Sequence, residues 1–143
     1  MKAIEAENSV VVNRPREAVF AFLADGTNDP RWRPAVVDIA REGGEGVGTV
    51  YRQGVKGPMG RRVAADYEIT EWEPSRRVGF RAIAGPVRPE GSYDLADDGQ
   101  ATRVTMRLRV EPRGAARLMS PMVRRSMEAE VAALGRLREL LES

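Results

Sequence analysis

The chain has 143 residues, 42% hydrophobic and 31% charged, with 23 basic against 21 acidic residues and neither Cys nor His. That length fits one domain and that composition fits a globular protein able to bury its own core. The near-balance of charge offers no broad field for nucleic acid, the missing Cys excludes disulfides and thiol chemistry, and the missing His removes the commonest general base and metal ligand.

No apolar run approaches the roughly 18 residues of a membrane span. Residues 1–8 carry Lys2, Glu5 and Glu7 and lack the apolar stretch of a signal peptide. The expectation is a cytoplasmic protein with no cofactor, no metal, no nucleic-acid partner and no membrane span.

Residues 5–12 end in Val10-Val11-Val12 and predict a first strand. Asn13-Arg14-Pro15 breaks it, and Pro15 suits the first turn of a helix, where its missing N–H is not needed. A short helix over 16–24 follows, with Val19, Phe20, Phe22 and Leu23 apolar. Residues 25–30 read as a loop or a fresh cap, with Asp29 placed to cap a short turn carrying Trp32.

From Pro34 to Pro112 the pattern is strands, over 35–40, 48–55, 61–73, 77–84, 92–96 and 102–110. Gly/Pro-rich turns separate them, and Asp97-Asp98-Gly99 is a strong hairpin signal. Residues 61–73 alternate most clearly: Val63, Ala65, Tyr67 and Ile69 against Ala64, Asp66, Glu68 and Thr70. One face of that strand is buried and the other wet. Residues 102–110 repeat the pattern, with Val104, Met106, Leu108 and Val110 against Arg103, Thr105, Arg107 and Arg109.

Residues 112–143 read as a long amphipathic helix. Leu118, Met119, Met122, Val123, Met127, Val131, Leu134, Leu137 or Leu140, and Leu141 recur mostly three and four apart, which is one stripe of a helix. Ser120-Pro121 interrupts it: either Ser120 caps a helix starting at Pro121, or a longer helix kinks there. The Leu-rich end over 134–141 suits permanent packing, and the Met-rich start over 119–127 suits a ligand and movement. Short turns between strands argue for an antiparallel meander, so the class is α+β with a helix laid on a half-buried sheet.

With these residues the chain resembles the START-like, Bet v 1-like superfamily, and within it the bacterial polyketide cyclase/dehydrase and lipid-transport group. The matching stretches are Asn13-Arg14-Pro15-Arg16-Glu17-Ala18-Val19-Phe20 after the first strand, the Trp32 turn, Val47-Gly48-Thr49-Val50-Tyr51-Arg52, and Tyr67-Glu68-Ile69-Thr70-Glu71-Trp72-Glu73-Pro74. Ala101-Thr102-Arg103-Val104-Thr105 and the terminal helix complete the match. These motifs span nearly the whole chain and mark a fold; none marks a chemistry. The resemblance implies a helix-grip fold over 1–143: a seven-stranded antiparallel curved sheet wrapped around a long C-terminal helix, with two short helices after strand 1. It also implies a cavity between sheet and helix that takes lipids, sterols, polyketides or other apolar and aromatic small molecules. Some members are cyclases or dehydratases, and others are carriers, sensors or partners of other proteins.

Alternation plus this fold makes Tyr67, Ile69, Phe80, Tyr93, Met106 and Leu108 the inner sheet surface, joined by Val63 and Ala65. Met119, Met122, Val123 and Met127 face them from the helix, and Trp32 sits near the mouth. Tyr51, Tyr67 and Tyr93 could orient a ligand carbonyl or phenol; the bland alternative is amphipathic packing in a filled core. Gln53 and Glu71 share the inward parity of their strands, so Glu71 is a candidate base if burial raises its pKa. Asp66 and Glu68 fall on the wet face with Arg103, Arg107 and Arg109, where cross-strand ion pairs outrank anion binding. Gly44-Glu45-Gly46-Val47-Gly48-Thr49 is a hairpin turn rather than a phosphate loop, since no Lys and no helix follow. Three functions stay open: a binding or transport module for an apolar or aromatic small molecule, a cyclase/aromatase/dehydratase using Tyr and carboxylates, and a filled-core protein-interaction module.

Overall fold

The computed structural model describes residues 3–143, so Met1 and Lys2 of the N-terminal reading lie outside it. Eight strands form, β1 (Ile4–Val12), β2 (Val36–Glu42), β3 (Val50–Lys56), β4 (Arg62–Ala64), β5 (Tyr67–Glu73), β6 (Arg77–Ala82), β7 (Glu90–Asp98) and β8 (Ala101–Val110). They pair antiparallel in the order β1-β8-β7-β6-β5-β3-β2, with β4 beside β3. The first strand therefore joins the sheet next to the last, and the others follow as a meander.

The clean strand expected over 61–73 is cut at Ala65-Asp66 into β4 and β5, both paired with β3. A side chain bridges the cut: the Gln53 N–H donates to Asp66 Oδ1 at 2.9 Å, while the Ala65 N–H donates to the Gln53 carbonyl at 2.8 Å. A carboxylate thus takes the place of a ladder carbonyl, and the sheet turns there without losing a bond. Counted as one interrupted strand, β4 and β5 make the sheet seven-stranded. A second irregularity lies between Ile69 and Glu71, where β5 shifts its register on β6. The extra residue reverses parity, so Trp72 packs inward, edge-on to Phe20 at 5.3 Å, and Glu71 points out to Arg77.

After β1 comes α1 (Arg16–Leu23), with Pro15 one residue outside it in an extended conformation. A 3₁₀ turn over Gly26–Arg31 follows. Its cap is Asp25, not Asp29: Asp25 Oδ1 accepts from the Thr27 N–H at 3.0 Å. The expected pair of short helices is thus one α-helix and one 3₁₀ turn.

The C-terminal helix is in pieces: one break falls at Ser120-Pro121, as expected, and a second, not expected, falls at Ala133. A 3₁₀ turn (Gly114–Met119) leads into α2 (Ser120–Ala132), and α3 (Leu134–Glu142) continues past Ala133. The Ser120 hydroxyl donates back to the Arg117 carbonyl at 2.8 Å and caps nothing. At Ala133 the N–H is shared between the Ala129 and Glu130 carbonyls at 3.2 and 3.1 Å, which tightens that turn. The buried stripe is Val123, Met127, Val131, Leu134 and Leu137. Leu118, placed in the stripe by its spacing, is 87% exposed, because the chain there is not yet α-helical.

Leu137 is fully buried at 0% exposure. Leu137→Ala should cost roughly 2–5 kcal/mol of unfolding free energy. Leu118→Ala should change it by less than about 0.5 kcal/mol. Urea denaturation of both variants checks the split; equal losses would place Leu118 in the core.

Candidate functional site

The inner face of the curled sheet, α1 with its following turn, and α2 enclose a cavity of about 380 Å³. That volume lies within the range of small-molecule sites. Of the residues expected there, Tyr51, Tyr67, Ile69, Phe80, Tyr93, Met106, Leu108, Met119, Met122, Val123 and Met127 all line it, with Val63 and Ala65 beside them. Trp32 does not line the cavity. It is 1% exposed and meets the far side of Tyr93 edge-on at 6.1 Å, so it is core rather than mouth. The apolar stripe of α2 and the sheet leave open space between them, where a filled core would leave none.

Aromatic rings run across neighbouring strands as a continuous wall. Tyr51 of β3 stacks on Tyr67 of β5 at 5.1 Å, Tyr67 meets Phe80 of β6 at 5.9 Å, and Phe80 meets Tyr93 of β7 at 5.2 Å. Such pairs add about 0.5–1.5 kcal/mol each beyond area burial. Tyr51 faces inward, and its side chain is buried. Gly26 lets the 3₁₀ turn close on this wall. A Cβ there would collide with the Tyr67 hydroxyl and lie 2.8 Å from Tyr51 Cε1.

At the closed end sits a buried charge cluster that the sequence reading did not assemble. Arg33 Nη1 donates to Asp29 Oδ2 and to Gln53 Oε1, both at 2.8 Å, and Arg33 Nε donates to Glu130 Oε2 at 2.9 Å. The Tyr67 hydroxyl donates to the same Asp29 oxygen at 3.2 Å. Gln53 is fixed by its amide donating to the Ala65 carbonyl at 3.1 Å. All five side chains line the cavity. One cation thus stands between two carboxylates, and Asp29 Oδ1 is buried with no hydrogen-bond partner among the described residues.

Spacing carried a trace of this cluster. Asp29 and Arg33 are four apart, one ion pair across a turn. Glu130 falls in the apolar stripe, at the step between Met127 and Leu134, where a carboxylate needs a partner.

Burial raises the Asp29 carboxyl from its ordinary 3.8 to about 6; Arg33 and the Tyr67 hydroxyl pull it down, and Glu130 adds to the rise. Burial opposes the charge of Arg33, but Glu130 and Asp29 outweigh it and hold the guanidinium firmly protonated. Burial also raises Tyr67 and Tyr93, so both phenols stay protonated as hydrogen-bond donors. Glu71, the sequence's candidate base, is excluded. It lies outside the cavity, and its hydrogen bond from Arg77 at 2.8 Å lowers its pKa. The wet-face carboxylates behave as expected: Asp66 pairs with Arg52 at 3.0 Å and Glu68 with Arg81.

A curled antiparallel sheet closed over a C-terminal helix, with a cavity between them, is the helix-grip architecture of the START/Bet v 1 class. The chain belongs to the polyketide cyclase / dehydrase and lipid transport family, whose model matches residues 3–142. A protein from Thermus thermophilus shares the fold at TM-score 0.80 and 24% identity, over 96% of each chain. The Zhui aromatase/cyclase of a Streptomyces species follows at TM-score 0.77 and 21% identity, over 97% of this chain and 96% of the other. A START superfamily protein from Mycobacterium smegmatis matches at TM-score 0.73 and 19% identity, over 96% of this chain and 98% of the other. At these identities the likeness concerns the fold alone. No curated protein sequence matches the chain significantly. No helix among the described residues is long and apolar enough to cross a membrane.

The Asp29 carboxyl makes stability depend on pH in a defined direction. From pH 3.8 to about 6 the unfolded chain loses this proton while the folded chain keeps it, so its contribution is full below 3.8 and lost as pH passes 6. The loss comes to about 3 kcal/mol. Asp29→Asn removes the dependence. Urea unfolding at about pH 4 and about pH 7 should show the variant gaining on wild type by about 2 kcal/mol at the higher pH, part of the loss having occurred by pH 4. An unchanged difference would mean that the carboxyl titrates as if in water.

Proposed function

We propose that the chain binds or carries an apolar or aromatic small molecule, lipid- or polyketide-like, in the cavity between sheet and helix. The observation that carries this reading is a mainly apolar cavity, open at one end, with its polar groups concentrated at the other. Affinity comes from burying ligand surface against Phe80, Met106, Leu108 and the Met side chains of α2, at roughly 25 cal/mol per Å². Orientation comes from the cluster at the closed end. Asp29 Oδ1 accepts a ligand O–H or N–H, and the Tyr93 phenol donates to a carbonyl, while Tyr67 keeps its proton on Asp29 Oδ2. Met119, Met122 and Met127 suit ligands of varied shape, because thioether chains repack easily.

An enzyme reading has one observation of its own. A carboxyl that titrates near 6, beside a phenol that donates to it, is placed to exchange protons with a bound polyketide-like substrate. On that reading Asp29, and not Glu71, is the general base, and Tyr67 holds it in place. A rate that rises through about pH 6 and disappears in Asp29→Asn would support it, and a rate indifferent to that substitution would count against it.

The binding reading is tested with N-phenyl-1-naphthylamine, a neutral aromatic fluorophore with one N–H donor. It should bind saturably with a blue-shifted emission. Tyr67→Ala and Met127→Ala should weaken it by about tenfold each, which is about 1.4 kcal/mol. Tyr67→Phe should keep the fold and most of the apolar binding. Undiminished binding by both alanine variants would remove the cavity from the account.

A further inference from the structure

We propose that the mouth of the cavity docks on an anionic lipid surface. The lining residues of the closed end, on α1, the 3₁₀ turn and the middle of the sheet, are buried or half-buried. Most of the exposed ones lie on three separate segments: the β3–β4 hairpin (Lys56, Pro58 and Ala64), the loop after β6 (Pro86), and the start of α2 (Met122 and Ser126). Pro34 and Ala129 continue the opening along one side.

The charge on these segments is not that of the whole chain. Residues 56–64, 84–89 and 113–127 carry three, one and four basic residues, eight in all, and no Asp or Glu. The chain as a whole is almost balanced, at 23 to 21. Arg residues on the outer sheet face are largely spent on Asp and Glu partners. Around the mouth, Lys56, Arg61, Arg88, Arg117, Arg124 and Arg125 form no ion pair among the described residues.

The same segments carry the exposed apolar side chains. Met59 is 96% exposed, Leu118 87% and Met122 46%. Met59 sits at the hairpin tip with φ 61, a left-handed position that suits Gly or Asn and not a long side chain. Neither packing nor turn geometry accounts for a methionine there.

These features fit a bilayer better than a protein. A specific protein interface needs about 800 Å² per partner of continuous, shape-matched surface. Here single flexible side chains project from separate loops around an opening. A fluid acyl layer accepts such side chains without a shape match, while unpaired Arg and Lys meet the headgroup phosphates. With the opening held against the lipid, an apolar molecule would pass between acyl layer and cavity without crossing water.

The docking surface stands apart from the identity of the cavity's ligand, and the test keeps the two separate. The whole chain is sedimented with vesicles of phosphatidylcholine alone and with vesicles of equal parts phosphatidylcholine and phosphatidylglycerol. Pelleting should be about tenfold greater with the mixed vesicles and should fall in high salt. Two double variants, Met59→Asp with Leu118→Asp and Arg61→Glu with Arg117→Glu, change exposed residues outside the cavity lining. Each should lose about tenfold in vesicle binding while keeping its melting temperature and its naphthylamine affinity. Equal pelleting with both vesicle types, or variants that pellet like wild type, would overturn the proposal. So would no pelleting at all, which would assign the basic rim to an acidic protein.

Discussion

The contact on which the site depends is the buried guanidinium of Arg33, held between Asp29 and Glu130. It ties three elements that are far apart in sequence: the 3₁₀ turn through Asp29, β3 through Gln53, and α2 through Glu130. A cation of this kind is costly to bury alone, and either carboxylate would be costly without it. Together they form a polar clasp at the one place where the helix must approach the sheet without filling the space between them. Apolar side chains at these positions would pack against each other and close the end of the cavity. Two carboxylates sharing one guanidinium keep it polar instead, with a carboxyl poised near pH 6 and one oxygen unspent.

The remainder of the fold sets that clasp in place. The strands break register in several places, on β2 between Val36 and Asp38 and on both sides of Tyr67, and the two that flank Tyr67 set its face. At Ala65-Asp66 a carboxylate stands in for a backbone acceptor, and after Ile69 an extra residue reverses the parity. The first keeps Tyr67 and Ile69 facing inward despite the turn of the strand. The second sends Glu71 outward to Arg77 and brings Trp72 in against Phe20. On the outer face the charged residues are absorbed in cross-strand pairs, each of little consequence for stability at such exposure. Around the mouth, by contrast, Lys56, Arg61, Arg88, Arg117, Arg124 and Arg125 form no ion pair among the described residues.

Most of the fold was legible in the sequence because it rests on periodicity. Alternation located the strands, and three-four spacing located the buried stripe of α2 and α3. The same alternation placed Tyr67, Phe80, Tyr93, Met106 and Leu108 on one surface. It failed where a residue was inserted into a strand. The register shift near Thr70 leaves no mark in composition, so Glu71 read as inward. Spacing also failed at Leu118, where the helix has not yet begun. Trp32 and Arg33 show a different failure: just past the 3₁₀ turn the chain is irregular, no periodicity says which of two neighbours faces the cavity, and hydrophobicity favours the wrong one. The charge cluster was hidden because its traces are weak one by one: Asp29 reads as a cap, and the place of Glu130 in the apolar stripe calls for a partner without naming it. Only the chain's long-range closure, 97 residues between Arg33 and Glu130, brings them together.

Asp29 is a buried carboxyl in the wall of the cavity. Carboxyl-carbon NMR of the labelled chain, titrated with and without naphthalene, measures this directly. The Asp29 resonance should titrate near pH 6 in the free protein. Its midpoint should move higher when the hydrocarbon displaces solvent from the cavity. A midpoint near the ordinary 3.8, unmoved by naphthalene, would contradict the account.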